Sequence, residues 1–173
     1  SYIARLVKTG HKIAICEQME DPKFAKGLVK REVTRVITPG TALDVALLEA
    51  KQNRYLAAVV LGEKPVTSNQ KPEKMGLAYL DLSTGEFRVY ETDDTQQFIA
   101  QLMRVGPAEI LVSEESSREP QLLEITEQLS AVVTAQPPWV FGRDRAYQTL
   151  TGYFHTSSLE GFGCEGLTSG LST

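Results

Sequence analysis

The 173-residue sequence predicts an α/β protein built in two parts. Three observations carry that reading. Past residue 53, apolar patterns of strand and helix period follow in the order β, β, β, α, β, α, β, α, which suits a mixed sheet with helices on its faces. Before residue 40, one helical pattern and two strand patterns make a partial α+β segment. Between them, Thr38-Pro39-Gly40-Thr41 breaks the chain where its charge changes sign. Residues 1–41 hold eight basic and four acidic side chains, a net +4 in a chain of net −4, which leaves −8 for the remainder. The boundaries drawn are 1–40, a linker at 41–52, and 53–173, the last with a C-terminal truncation allowed for.

Each element has a local reason. Ile3, Leu6 and Val7 fall on one helical face over residues 2–9, and Gly10 suits the left-handed stop. Lys12 to Gln18 and Val29 to Ile37 read as strands, separated by a basic loop that Asp21-Pro22 opens. One helix and two strands cannot close a core in 40 residues, so the sequence is expected to begin inside a domain. Pro39 fixes one φ and Gly40 permits a positive one, which predicts a type II turn. Asp44 to Ala50 reads as a short helical link.

In the second part RYLAAVVLG reads as a buried strand. MGLAYLDL and GEFRVYET flank a turn at Ser83-Thr84-Gly85, with Ala78, Leu80, Leu82, Phe87 and Val89 as the apolar alternation. Thr95 to Val105 is an amphipathic helix through Phe98, Ile99, Leu102 and Val105, closed by Gly106-Pro107. AEILVSE is a strand, and Pro120 to Leu129 is a helix with Leu122, Ile125 and Leu129 inward. AVVTA is a short strand, and Ala146, Tyr147, Leu150, Tyr153 and Phe154 recur at helical spacing. A long loop is expected at 63–74.

Composition excludes several classes. No apolar run approaches the roughly 18 residues of a membrane span, and the N-terminal residues lack a signal-peptide layout. Cys16 and Cys164 make no disulfide framework, and they fit a reduced cytoplasmic setting. Cys16 reads as a small buried strand residue. Two His and two Cys without ligand spacing give no zinc site, so no metal is expected. Gly161 to Gly166, GFGCEG, matches G-x-G-x-x-G. It follows a helix where a dinucleotide fingerprint needs a strand, so it reads as a surface loop. There is no G-x-x-x-x-G-K-[ST] phosphate loop.

Three strands followed by α, β and α resemble the order of ribonuclease H-like folds. The two-metal chemistry of such nucleases needs several convergent carboxylates. The first strand, Tyr55 to Leu61, has none, Asp81 lacks a partner fixed by sequence, and Glu114, Glu115, Glu119, Glu124 and Glu127 read as an exposed acidic face. A nuclease is therefore the weaker reading. The stronger signal is the basic run. On a regular strand Arg31 and Arg35 point the same way, roughly 13 Å apart, and Lys23, Lys26 and Lys30 add to their field. Such a row suits phosphate contacts of a salt-sensitive, sequence-independent kind. It also suits a solvated charged strand on an inert spacer, with Glu32 as local neutraliser.

SYIARLVKTG, AICEQMEDP and KREVTRVITPGT, in that order and spacing, resemble the MutS family of bacterial DNA mismatch repair proteins. YLAAV, GLAYLDLSTGEF, PAEILVSE, RDRAYQTL and LEGFG extend the resemblance over essentially the whole chain. It implies that residues 1–40 end a mismatch-binding domain and that 53–173 form most of a ribonuclease H-like connector without nuclease activity. Lys23, Lys26, Lys30, Arg31 and Arg35 would then lie beside bent duplex DNA and hold its backbone. The family's Phe-x-Glu wedge would precede Ser1, and its clamp, lever and ATPase domains would follow Thr173. The resemblance further implies a non-enzymatic fragment without cofactor, from a parent that binds ATP and Mg, acts as a DNA-dependent ATPase and homodimer, and works in the bacterial cytoplasm near the nucleoid. The connector would relay nucleotide state to MutL, with Tyr147, Gln148 and Thr149 as contact candidates.

Overall fold

The computed structural model describes residues 2–23, 27–42, 54–62, 74–164 and 166–173. Lys26, the expected link at Asp44 to Ala50 and the loop at 63–73 lie outside the described residues. The chain divides into two compact units, Ser1–Gln52 and Asn53–Thr173.

In the first unit, helix α1 (Tyr2–Lys8) precedes an antiparallel hairpin of β1 (Ile13–Gln18) and β2 (Arg31–Ile37). Gly10 takes the left-handed conformation, φ 83°, that ends α1. Ala4 and Val7 of α1 are buried with Ile37 and Ala42, and Ile3, Ile13 and Ile15 pack around them. That is the whole of this unit's described core. The turn after β2 forms, with Thr41 N donating to Thr38 O at 3.2 Å. It is not the expected type II turn, because Gly40 is absent from the positive-φ residues. Two threonines close it instead: Thr38 N donates to Thr41 Oγ1 at 3.0 Å, and the two hydroxyls lie 2.8 Å apart.

The second unit is a five-stranded mixed sheet, β5-β4-β3-β6-β7. β3 (Tyr55–Val60), β4 (Met75–Asp81) and β5 (Glu86–Thr92) form an antiparallel meander, while β6 (Glu109–Ser113) and β7 (Val132–Gln136) run parallel to β3. Helices α2 (Thr95–Val105) and α3 (Pro120–Leu129) supply the crossovers, and α4 (Arg143–Phe154) follows β7. Asp94 starts α2 by accepting from Gln96 N and Gln97 N, and Gly106, φ 57°, stops it. Phe98 and Leu102 of α2 and Leu122 and Ile125 of α3 pack with Ala57, Val59, Leu77, Tyr79, Ile110 and Val112 of the sheet. Tyr55 meets Tyr79 edge to face at 5.2 Å.

The inward face of the meander is thus Leu77 and Tyr79, one residue out of step with the expected alternation. Ala78, Leu80, Phe87 and Val89 point to the opposite face, and Leu82 and Phe87 are exposed. The sequence permits either parity, because β4 is apolar at almost every position; α2 and α3 select one. The opposite face is crossed by residues 168–173. A Cβ at Gly76 would lie 2.1 Å from Ser169 O, so glycine admits this segment against the sheet. Glu91 holds it there, its Oε2 accepting from Thr168 N at 2.7 Å and Gly170 N at 2.8 Å.

Candidate nucleic-acid interface

The hairpin contains an irregularity that rearranges the expected basic row. Ile15 pairs with Arg35 and Cys16 with Val33, so Thr34 is the extra residue of a β-bulge. Its hydroxyl donates to Ile15 O at 3.3 Å, engaging a carbonyl at the break in the ladder. Directly opposed residues share a face. The register therefore sets Ile13, Ile15, Arg35 and Ile37 on one face, and Ala14, Cys16, Arg31, Val33 and Val36 on the other. Arg31 and Arg35 do not point the same way, as an unbroken strand would require. One extra residue has turned them to opposite sides.

Both arginines are exposed. Among the described residues neither guanidinium has an ion-pair or hydrogen-bond partner. Lys30 stands between solvent and Glu32, its Nζ 2.6 Å from Glu32 Oε1, while its backbone N donates to Glu20 Oε1 at 2.7 Å. An exposed pair of this kind contributes little to stability and exchanges readily for another anion. Lys23 is exposed on the connecting loop, where its backbone N donates to Asp21 Oδ1 at 2.9 Å and leaves the ammonium outside.

α1 covers the Ile13/Ile15 face, whereas the Arg31 face is open. Val33 and Val36 are each 57% exposed there, and Cys16, expected to be buried, is also exposed. β-branched residues at these positions were read as strand formers only. Alternation marks a strand without telling which of its faces is covered.

In the second unit α4 has no buried residue. Tyr147, Gln148 and Thr149 are all exposed, with Thr149 Oγ1 donating back to Arg145 O at 2.8 Å. Their neighbours form an aromatic surface that the spacing analysis did not resolve. Arg145 lies 4.5 Å from the Trp139 ring, a cation–π contact. Phe154 packs between Tyr153 and Phe162 at 5.2 and 4.9 Å, and Tyr153 is 76% exposed. Aromatics at helical spacing normally signal a core-facing stripe, so their exposure here is the informative observation.

Asp81 serves the fold. It is buried, and Oδ1 accepts from Ser83 N at 2.8 Å and Ser83 Oγ at 2.6 Å, with Arg54 N at 3.4 Å from Oδ2. Burial pushes its carboxyl up, but the Ser83 hydroxyl and the amides of Ser83, Arg54 and Thr84 outweigh that and hold it below the usual range. The carboxylate is committed to the β4–β5 turn. Glu109 is likewise buried and accepts from Thr134 Oγ1 at 2.6 Å. The five glutamates of the acidic face are exposed. Among the described residues no three His, Cys, Asp or Glu side chains converge as metal ligands, and no helix is long and apolar enough to cross a membrane. Of the GFGCEG string, which follows α4 in sequence, Gly163 and Gly166 are left-handed and exposed.

A small helix-covered hairpin with exposed cations and a mixed α/β sheet define a two-unit α/β protein with one candidate polyanion-facing surface. Family models describe both modules: MutS domain I matches residues 1–46 and MutS domain II matches residues 54–173. The chain belongs to the MutS family. Relatives named DNA mismatch repair protein MutS include those of Syntrophobacter fumaroxidans, 45% identical over 98% of this chain, and Chlorobium phaeovibrioides, 41% identical over 98%. That of Methanosarcina barkeri is 39% identical over 96%. The chain spans 18–19% of the length of these relatives.

Proposed function

We propose that the chain acts in DNA mismatch repair as the mismatch-binding and connector segment of a longer MutS protein. In this reading residues 1–40 hold duplex backbone and residues 53–173, a ribonuclease H-like connector without nuclease activity, relay nucleotide state to MutL. The observation that carries it is the pair Arg31 and Arg35, exposed without partners on a hairpin that needs neither for its own packing. Unpaired cations keep their full charge for phosphates, and release of condensed counterions on contact supplies the affinity. The bulge lets the two reach different strands of a deformed duplex, or a phosphate and a groove edge, better than one flat row. Lys23 and Lys30 extend the field.

α4 is the surface proposed for MutL. Tyr147, Gln148 and Thr149 sit on an exposed helix beside aromatic side chains, a composition typical of the energetic centres of protein interfaces. The chain carries no G-x-x-x-x-G-K-[ST] loop, so none of its residues is assigned to ATP or Mg, and the ATPase activity, homodimerisation and cytoplasmic, nucleoid-associated setting belong to the parent. The chain itself is proposed to be non-catalytic.

The test places this sequence in a full-length MutS and reverses Arg31 and Arg35 to Glu. Affinity for a mismatched duplex is expected to fall at least about tenfold at low salt. Unchanged affinity would leave the hairpin an inert spacer. Metal-dependent cleavage by the chain, abolished by Asp81→Asn, would overturn the non-catalytic assignment.

A further inference from the structure

The sheet unit holds a cavity of about 740 Å³ bordered by Arg143, the first residue of α4. It opens where the parallel strands β3 and β6 end, at Val59–Leu61 and Ser113. Ligands of open α/β sheets sit outside the carboxyl ends of parallel strands, because the chain diverges there and leaves a crevice. The volume falls within the range of small-molecule sites.

The lining divides by chemistry. Val59, Val60, Leu61, Pro138 and Phe141 supply an apolar part with one aromatic ring. Lys74 and Arg143 supply two cations, and Ser113, Ser116 and Ser172 contribute hydroxyls. Arg143 is exposed and has no ion-pair partner among the described residues, so the fold makes no other use of its charge. One anion also lines the site, Glu115.

The walls are built rather than incidental. Ser113 Oγ donates to Ser116 Oγ at 3.0 Å and accepts from Ser116 N at 3.1 Å, which fixes the turn after β6. The opposite wall, at Thr168 and Ser169, is pinned by Glu91, whose side chain is only 2% exposed. Lys74 Nζ lies 2.8 Å from Glu91 Oε1, so the same ammonium borders the cavity and anchors its wall. Gly76 allows that wall its close approach.

We infer that this cavity binds a nucleoside monophosphate, with the phosphate at Arg143 and Lys74 and the base against Phe141 and the aliphatic floor. Glu115 opposes a bare multivalent anion, yet it accepts hydrogen bonds from ribose hydroxyls. The site therefore favours a nucleotide over inorganic phosphate. A pocket with one aromatic ring, an aliphatic floor and two cations matches the parts of a single nucleotide. The proposal does not depend on the mismatch-repair reading.

The test is calorimetric titration of the 173-residue chain with AMP, and separately with adenosine and inorganic phosphate. AMP is expected to saturate with a Kd below about 1 mM, and adenosine and phosphate to bind at least about tenfold more weakly. Arg143→Glu is expected to weaken AMP at least about tenfold while the circular dichroism spectrum and Tm stay unchanged. Arg143→Gln, which keeps size and polarity, should show an intermediate loss and guards against a folding defect. No saturation by about 10 mM AMP overturns the proposal. So does phosphate binding as tightly as AMP, or AMP binding that both Arg143 variants leave untouched.

Discussion

The two sheets of this protein use the same residue types to opposite ends. β2 spends Arg31, Val33, Arg35 and Val36 on solvent, and only Ile37 of that strand is buried. β4 is a strand of the same length, and it buries six of its seven residues, including a carboxylate. A two-stranded ribbon backed by one short helix has little apolar area to remove from water, so its stability is marginal by itself. The five-stranded sheet closes a core with two helices and tolerates a buried Asp81 because three donors satisfy it. The larger buried core belongs to the sheet unit, and the hairpin leaves both arginines of β2 uncommitted. A strand whose packing demands nothing of its cations leaves them available to a polyanion.

Substitutions can break or sharpen this contrast, and the largest effect belongs to the sheet unit. Phe98→Ala empties a fully buried site between α2 and the sheet. It should cost about 3–5 kcal/mol in urea unfolding of that unit. Gly76→Ala is next, because the new methyl meets the backbone of Ser169 and Gly170, which cannot swing aside as a side chain does. A loss of about 1–3 kcal/mol is expected, with faster amide exchange at Thr168 and Gly170 as the specific sign. A cost below about 0.5 kcal/mol would show that the 168–173 segment is held more loosely than described.

Acid should separate the units further. Asp81 and Glu91 both have depressed carboxyl pKa values in the folded state. For Glu91 burial acts upward, and the Gly170 amide, Lys74 and the Thr168 amide act downward and prevail. A depressed folded value means that the unfolded chain binds the proton more tightly. The stabilisation is therefore complete above the ordinary values of 3.8 and 4.5 and drains away as pH falls through the folded ones. The unfolding midpoint of the sheet unit should hold steady from pH 7 to about pH 5 and drop below about pH 4. Glu91→Gln should flatten the drop. At the small end of the scale, Val33→Thr on the open hairpin face should change stability by no more than about 0.5 kcal/mol.

The sheet unit was largely legible in the sequence, and its legibility has a physical cause. Phe98 and Leu102, then Leu122 and Ile125, recur at helix period beside clear stop signals, and both helices form over the expected residues. The order of the five strands' apolar runs was readable for the same reason. Parity in β4 was not, because Gly76 to Leu80 has no polar residue to mark the solvent side. The hairpin strands were also readable, but the face of each side chain was not. One bulged residue, Thr34, inverts everything after it, and a β-branched polar residue in a strand carries no signal for a bulge. Thr38–Thr41 shows a related failure: Pro-Gly suits a type II turn, yet two threonine hydroxyls close a different one. Of the site residues, exposure of Arg31, Arg35 and Gln148 followed from polarity, whereas Tyr147 belongs to a helical-period apolar set that reads equally as core. The cavity residues Lys74 and Arg143 are 69 positions apart in sequence, and only the fold brings them to one rim.

The central claim is that the unpaired arginines of the hairpin are aimed at phosphodiester oxygens. Its most direct measurement is the slope of log Kobs against log salt concentration for a mismatched duplex. The measurement compares full-length MutS carrying this segment with its Arg31→Gln, Arg35→Gln and double variants. Each phosphate contact removed should flatten the slope by about 0.9, so the double variant should lose roughly twice what either single variant loses. Identical slopes for all four proteins would contradict the account, whatever happened to affinity.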